Sequence, residues 1–308
     1  MPKSFETPVE QTHQEHLMPA EAKIFDLLVA KHKKDAINMG DFLDLYGETN
    51  IKEDGDYVAR KRKRIEEAGT GPSKRAEIVE ALISEQIELS DWFGPEAATF
   101  VPSEFDDLKN GIDIAVEFER EEGFKHLALG VDITSSIEGL TKKILIAKER
   151  IREGQLTRIK YFVSDRSHIR GELGKIPLFI IGLSPKVINE LSELWLTAHA
   201  PRLQKDTTGL SEETIAHQRE MARIAQQKLA RHRVRELVLD EISNQAQIFR
   251  DYALQNNQNV AAEKFQGVLN IIATLNHVEL SPEESLENMG DSVNQGLQYL
   301  LKNFGELK

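Results

Sequence analysis

The chain has 308 residues, a formal net charge of −12 and no cysteine. The lack of cysteine excludes disulfides, thiolate zinc sites and cysteine nucleophiles, and the negative charge argues against indiscriminate coating of nucleic acid. The apolar runs are all shorter than the ~20 residues of a membrane-spanning helix, so we expect no membrane contact and a cytoplasmic location.

The chain is long enough for one good hydrophobic core with a smaller appendage, and its composition divides it into four regions. Residues 1–18 are polar and are predicted to be a disordered tail. Residues 19–72 are predicted to be a helical N-terminal segment that opens at Pro19. Residues 73–204 mix helix and strand patterns, which predicts an α/β core. Residues 205–308 show no strand pattern and are predicted to be a helical C-terminal region.

Five consecutive cations lie in the N-terminal segment. Such a run could contact a phosphate backbone, or it could be an ordinary solvated face of a helix. The five residues are Arg60, Lys61, Arg62, Lys63 and Arg64.

The central region predicts an alternation of helices and strands that is typical of α/β proteins. Ser73 is suited to cap its first helix, and Ser184 with Pro185 to begin its last. The nearly continuous apolar run 176–181 suits a strand that is covered on both faces. The predicted elements are helix 75–92, a short strand 97–101, strands 111–119 and 126–134, helix 137–153, strands 157–164 and 176–183, and helix 185–197.

Two of the predicted strands each carry an aspartate among apolar neighbours. Apolar residues alternate with others along 111–119 and along 126–134, and Asp113 and Asp132 lie on the non-aliphatic faces. The two apolar faces stay together only in an even pairing register, which a two-residue turn at Glu122-Gly123 would give. That register sets Asp113 directly opposite Asp132, with their Cβ atoms about 5 Å apart.

Two carboxylates this close repel each other unless one is protonated or a cation lies between them. A hard divalent ion, Mg²⁺ or Mn²⁺, is the simplest solution, with Asp113 and Asp132 as ligands and Glu117 on the same face as a possible third. Carboxylate-bound Mg²⁺ polarises phosphates and lowers the pKa of bound water, which suits cleavage of phosphodiester bonds. Asp106 and Asp107 are predicted to be turn acids, and Asp107 could also serve the metal.

An ordinary sheet explains the same aspartates without a metal. Asp113 could then pair with Lys109, and Asp132 could pair with Lys143 or accept hydrogen bonds from Thr134. Propensity disfavours aspartate inside strands, so two opposed ones still need an explanation.

A predicted helix over 217–235 in the C-terminal region is locally basic. Several of its cations recur at four-residue spacing on one face, so it could follow a nucleic-acid backbone, although solvated helices often have this content. The arginines that we consider for nucleic-acid contact are Arg219, Arg223, Arg231 and Arg235.

The acids and the element order of residues 76–183 resemble the PD-(D/E)xK, or restriction-endonuclease-like, superfamily of nucleases. The resemblance implies a mixed sheet flanked by helices, with a glutamate on the first helix, an aspartate on one strand and an acid-x-lysine triplet on the next. Glu85 and Glu88 look like the first element, Asp113 like the aspartate, and Asp132 like the acid of the triplet. Helix 137–153 and the strand TRIKYFVS at 157–164 look like the rest of the core.

This sequence departs from the family pattern at Thr134, which stands where the lysine is expected. A preorganised lysine would orient the attacking water or stabilise the charge that develops on the phosphate. Lys142 or Lys143 on the following helix, or Lys160 on the next strand, could supply that charge instead.

The resemblance implies a Mg²⁺- or Mn²⁺-dependent nuclease, with DNA as the expected substrate and a homodimer as a possible assembly. Two alternatives stay open. One is a nuclease fold that has lost catalysis and binds nucleic acid through its basic segments, and the other is an inert scaffold for protein interaction.

Overall fold

A computed structural model describes residues 15–69, 71, 73–118, 127–164, 168–204 and 210–307. It is a mixed α/β structure, with helices around a small mixed sheet. The helices are α1 (Pro19–Ile24), α2 (Ala30–His32), α3 (Leu43–Glu67), α4 (Lys74–Ser90), α5 (Glu104–Asn110), α6 (Ile137–Arg152), α7 (Pro185–Leu203), α8 (Glu212–Ala230), α9 (Arg233–Gln255), α10 (Asn259–Ile272), α11 (Pro282–Met289) and α12 (Ser292–Lys302). The strands are β1 (Ala97–Phe100), β2 (Ile114–Phe118), β3 (Leu127–Thr134), β4 (Thr157–Val163), β5 (Arg170–Ile176) and β6 (Leu178–Gly182).

The larger sheet has the strand order β1-β2-β3-β6, with β1, β2 and β3 antiparallel and β6 parallel to β3. The register between β2 and β3 pairs Ile114 with Val131 and Phe118 with Leu127. This even register confirms the predicted one and keeps the apolar residues of both strands on one face. The turn predicted at Glu122-Gly123 lies outside the described residues.

Helices pack on this sheet and share its core. Helix α4 contacts β1 and β3, α6 contacts β3 and β6, and α9, α10 and α12 add further cover. Their apolar side chains form one continuous cluster with those of the strands, which includes Ile78, Val131, Ile144, Ile181 and Phe249. The C-terminal region is helical, as predicted, and its helices complete the core of the sheet.

Strand β6 lies at the edge of the larger sheet, and α9 supplies the hydrogen bonds that a further strand would make. Gln245 accepts from the Ile180 amide at 2.9 Å and donates to the Ile180 carbonyl at 2.7 Å. Glu241 accepts from the Gly182 amide at 3.1 Å. These side chains satisfy buried backbone groups that would otherwise be costly.

The pairing of strand β4 differs from the predicted order of the core. The strand TRIKYFVS was expected to complete the main sheet, but β4 pairs with β5 in a separate two-stranded sheet. The burial of β4 alternates along part of its length, whereas β6 is buried over four of its five residues. The more apolar strand therefore takes the covered place beside β3.

The N-terminal segment is helical, as predicted. Residues 1–14 of the predicted tail lie outside the described residues, and Glu15 accepts a hydrogen bond from Ser73 at 2.9 Å. Ser73 caps α4 by accepting from the Ala76 amide at 3.3 Å. Within the described residues, no helix is both long and apolar enough to cross a membrane.

Candidate active site

Asp113 and Asp132 lie on neighbouring strands at the same end of the hairpin. The β2–β3 register, continued by one residue, brings Asp113 beside Asp132. The Asp113 carboxylate accepts from the Ile133 amide at 2.6 Å, and its own amide donates to the Val131 carbonyl at 2.9 Å. Asp132 is 6% exposed. The backbone of β3 therefore fixes the position of the Asp113 carboxylate.

Lys143 supplies a cation to Asp132. Its Nζ lies 2.6 Å from Asp132 Oδ1 and 2.6 Å from the Ile133 carbonyl oxygen. Helix α6 starts directly after β3, where Ser136 caps it, so Lys143 lies about two turns along a helix that packs on β3. Thr134 is buried and donates to the Ser136 carbonyl at 3.2 Å. Lys143 thus pairs with Asp132, as the ordinary-sheet interpretation predicted, and it is also one of the lysines predicted to lie near the acids.

Two further acids act electrostatically on this pair. The pKa of Glu80 is raised to about 8. Burial is the largest cause, and the negative charges of Asp107 and Glu77 add to it. The pKa of Asp107 is raised to about 7. Burial raises it, and the negative charges of Asp132 and Glu104 add to this rise. The Asp107 side chain is exposed to solvent, so the neighbouring carboxylates contribute more than burial to the rise in its pKa.

Asp113 responds to the same group of charges. Burial raises its pKa well above the usual range, and the charges of Glu80 and Asp132 raise it further, while Lys143 opposes them. Glu80, Asp107, Asp113 and Asp132 therefore form an acidic cluster with more carboxylates than nearby cations. Such a cluster is stabilised either when some of its carboxylates stay protonated or when a cation binds between them.

Arg150 lies at the border of this acidic cluster. It lines a cavity of about 20 Å³ together with Asp132 and Lys143, which is enough space for one water molecule. Its Nη1 donates to the Asn110 carbonyl at 3.3 Å, at the end of α5. Burial lowers the pKa of its guanidinium, and the charge of Asp132 opposes this. Arg150 thus connects α6 with the helix that carries Asp107.

Glu80, and not Glu85 or Glu88, is the glutamate of α4 whose charge acts on Asp113. The structure does not bring those two residues to the acidic cluster: Glu85 accepts from the Trp195 indole N–H, and Glu88 accepts from the Thr99 hydroxyl at 2.8 Å. Each helical residue turns the side chain by about 100°, so Glu85 points about 140° away from Glu80. Helical spacing alone gave no reason to choose Glu80.

Asp107 lies on α5, a short helix that the sequence analysis missed. Ser103 caps α5 by accepting from the Asp106 amide at 3.2 Å, and Gly111 follows it with a φ of 70°. A serine and a glycine flanking seven residues are helix-ending signals that would have predicted it. Asp106 serves the fold instead, since it accepts from the Lys160 amide at 2.7 Å.

Three predicted site residues lie elsewhere. Lys142 is exposed and lies 3.7 Å from Glu138 on its own helix, because one helical step separates it from Lys143. Lys160 pairs with Asp54 of α3 instead of the acidic cluster, a consequence of β4 leaving the main sheet. Glu117 lies four residues along β2 from Asp113 and is buried, and it accepts from the Ser164 hydroxyl.

The first basic run lies on α3 and is partly neutralised. Lys61 is 9% exposed, so it cannot present its charge to a phosphate backbone as predicted. Arg62 contacts both carboxylate oxygens of Glu104 at 2.5 Å, and Lys63 lies 3.7 Å from Glu67. The exposed members of the run are Arg60, Arg62, Lys63 and Arg64.

The second basic segment is two helices and not the predicted single one, since α8 ends at Ala230 and α9 begins at Arg233. Arg235 is buried, with Nη1 at 2.6 Å from Glu236 and Nε donating to the Trp92 carbonyl. It therefore stabilises the core and is not available to nucleic acid. The remaining candidates, Arg219, Arg223 and Arg231, are exposed.

Within the described residues, no three His, Cys, Asp or Glu side chains are grouped so that they could hold a metal ion together. Mg²⁺ often uses only one or two protein carboxylates, with waters and substrate phosphates as its other ligands. The chain matches no protein-family model, no curated protein and no solved structure. We therefore infer a function from the chemistry of the acidic cluster.

Proposed function

We propose that the chain is a metal-dependent nuclease that cleaves phosphodiester bonds in DNA. The observation that carries this proposal is the placement of Asp113 beside Asp132, with Lys143 in contact with Asp132 and two more acids acting on the pair. When α5, β4 and β5 are left out, the remaining order α4-β1-β2-β3-α6-β6 also resembles the restriction-endonuclease-like core, with β6 as the last strand.

The acidic cluster suits a divalent ion on electrostatic grounds. Mutual repulsion and burial raise the pKa values of Glu80, Asp107 and Asp113, so a cation beside them relieves an existing cost. Asp113 and Asp132 would hold Mg²⁺ or Mn²⁺, because Asp113, just before β2, lies beside Asp132 of β3. The Asp113 carboxylate is held by the Ile133 amide and the Asp132 carboxylate by Lys143. The ion would polarise the phosphate and lower the pKa of a bound water.

The side chains of the chain have separate tasks in this proposal. Lys143 offers an ammonium group where negative charge develops on the phosphate, or orients the attacking water. Asp107 is exposed and its pKa is raised by the neighbouring carboxylates, which suits a group that accepts a proton during the reaction. Arg150 holds the end of α5 and so fixes the position of Asp107.

Cleavage assays test this proposal. Supercoiled plasmid, single-stranded DNA and RNA would be incubated with the protein in Mg²⁺, Mn²⁺ or EDTA. We expect cleavage in the divalent ions alone, and its loss in Asp113→Ala/Asp132→Ala, with Glu88→Gln as a folded control from outside the acidic cluster. Unchanged cleavage in the double variant would contradict the proposal. Salt-dependent DNA binding without any cleavage would instead favour the inactive, DNA-binding alternative.

A further inference from the structure

The exposed cations near the end of α3 lie beside the helix that carries Asp107 of the acidic cluster. Arg62 contacts both carboxylate oxygens of Glu104, and Glu104 lies one helical turn before Asp107 on α5. We call these cations the basic surface. Its members are Arg60, Arg62, Lys63 and Arg64.

Further contacts hold this part of α3 against α5. The rings of Tyr57 and Phe105 lie edge to face with their centroids 5.7 Å apart, and Lys109 Nζ lies 4.5 Å from the centroid of the Tyr57 ring. Together with the ion pair between Arg62 and Glu104, they join α3 to α5 along most of the length of α5. The position of the basic surface beside the acidic cluster is therefore set by α5.

A strand of DNA that enters the acidic cluster needs cations beyond the cleaved phosphate. A divalent ion neutralises the phosphate that it contacts, while the charges of Asp132 and Glu104 already act on Asp107. Each DNA strand carries a negative charge every ~3.4 Å, so the next phosphates approach the exposed carboxylates of α5. Lys143 is 10% exposed and bound to Asp132, so it does not reach them. Cations on the surface beside α5 reduce this repulsion.

The other basic segment that the sequence predicted, on α8, has no such position. Helix α8 packs on α7, and its Leu229 carbonyl accepts from the Trp92 indole at 3.1 Å, past the C-terminal end of α4. Arg223 pairs with Glu220 of the same helix. Within the part of the chain that the structure describes, no hydrogen bond or ion pair joins an arginine of α8 to α5. The two segments can therefore be compared directly.

We propose that the basic surface binds backbone phosphates of the DNA substrate next to the cleaved bond. This proposal rests on the proposed nuclease function. Glu104 holds Arg62 through Nε and Nη2, so Nη1 is positioned to donate to a phosphate. Arg60 and Arg64 lie one turn apart, and they form no ion pair with the described residues, so they are available to further phosphates. Contacts of this type do not depend on base sequence.

Salt-dependent DNA binding tests the basic surface without relying on cleavage. The full chain would bind a labelled DNA duplex of about 20 base pairs, followed by fluorescence anisotropy at ~50–200 mM salt. Binding is measured in EDTA and again in Ca²⁺. We expect Arg60→Gln/Arg62→Gln/Arg64→Gln to weaken binding by about tenfold or more, and to lower the slope of log K against log salt by about 2–3, because three phosphate contacts are lost.

An α8 variant, Arg219→Gln/Arg223→Gln/Arg231→Gln, is the matched control. It also removes three exposed arginines, one of which contacts both carboxylate oxygens of a glutamate on its own helix. We expect it to bind DNA with the affinity and the salt slope of the wild type. If circular dichroism shows that the triple variant of α3 is misfolded, Arg60→Gln/Arg64→Gln replaces it, with an expected loss of about 2 in the slope.

The results separate this proposal from the nuclease proposal. An unchanged salt slope in the folded α3 variant, an equal loss in the α8 variant, or no DNA binding by the wild type would overturn the role of the basic surface. If the wild type cleaves DNA and the α3 variant keeps its slope, the nuclease proposal stands and this one fails. If binding depends on α3 but no metal supports cleavage, the DNA contact stands and the nuclease proposal fails.

Discussion

Lys143 contacts Asp132 Oδ1 and the Ile133 carbonyl oxygen, each at 2.6 Å, with its own side chain 10% exposed. A lysine this well fixed has little orientational freedom to lose when a phosphate arrives. Lys142 differs from it by one position and faces Glu138 on the surface. The two lysines therefore form a matched pair for mutation.

We expect Lys143→Gln to lower DNA cleavage by about 10²–10³-fold, because a preorganised charge near the reacting phosphate is removed. Lys142→Gln should cleave like the wild type, since its side chain does not reach the acidic cluster. Initial rates on supercoiled plasmid in Mg²⁺ would measure both. Equal losses in the two variants would show that Lys143 has no special part in the reaction.

The alternation of apolar and other residues was enough to predict the aspartate pair, because it fixes the faces of both strands and so their register. The predicted helix after the second strand was enough to place Lys142 or Lys143 near the pair. The choice of Glu80 over Glu85 and Glu88 depends on how α4 rotates against the sheet, and no local pattern determines that rotation. The burial of Arg235 likewise depends on the packing of α9 against the loop at Trp92.

Helix α9 acts as a partner for the edge strand β6. Gln245 is fully buried and bonds both the amide and the carbonyl of Ile180, while Glu241 binds the Gly182 amide. Burial raises the pKa of Glu241 well above the usual range, and the hydrogen bond from the Gly182 amide opposes this shift. The position of β6, which is the parallel neighbour of β3, therefore depends on these side chains.

We expect Gln245→Ala to lower the free energy of unfolding by about 2–4 kcal/mol, because it leaves two buried backbone groups of Ile180 unpaired. Gln255→Ala, at the exposed end of the same helix, is the control and should change it by less than about 0.5 kcal/mol. Urea unfolding followed by circular dichroism measures both values. A small effect of Gln245→Ala would mean that the edge of β6 finds other partners.

Most strands and the helices α4, α6 and α7 could be predicted because each has a clear apolar period or cap. The pairing of β4 with β5 could not, because strand partners are chosen by non-local packing that the 157–164 pattern does not contain. Helix α3 also includes the polar stretch 48–56, and it is interrupted by a kink at Gly47, where φ is 74° and ψ is 160°. Its cover by Phe42 and Tyr161 is a tertiary effect.

The whole molecule carries a net charge of −12, and part of that charge is concentrated in the acidic cluster. Glu80 and Asp107 have pKa values of about 8 and about 7 in the fold, above the values near 4 of an unfolded chain. Raised values mean that the stability from their protonated forms is present below pH ~4 and is lost as pH rises through 7 to 8.

We therefore expect the melting temperature in EDTA to fall between about pH 4 and pH 8 and to level off above pH 8, and Mg²⁺ to restore it by binding the ionised carboxylates. Glu80→Gln should flatten this pH dependence in part, because it removes one of the acids with a raised pKa and leaves Asp107 and Asp113. Differential scanning calorimetry in matched buffers measures the profile. A flat profile in EDTA for the wild type would contradict the electrostatic description of the acidic cluster.

Binding of Mn²⁺, followed by electron paramagnetic resonance at pH 7.5, tests the central claim most directly: Asp113 and Asp132 hold the divalent ion. We predict that the wild type and Glu85→Gln/Glu88→Gln bind Mn²⁺ with the same affinity, and that Asp113→Asn/Asp132→Asn loses this binding. Retained binding in the aspartate variant, or loss in the glutamate variant alone, would contradict the proposed metal site.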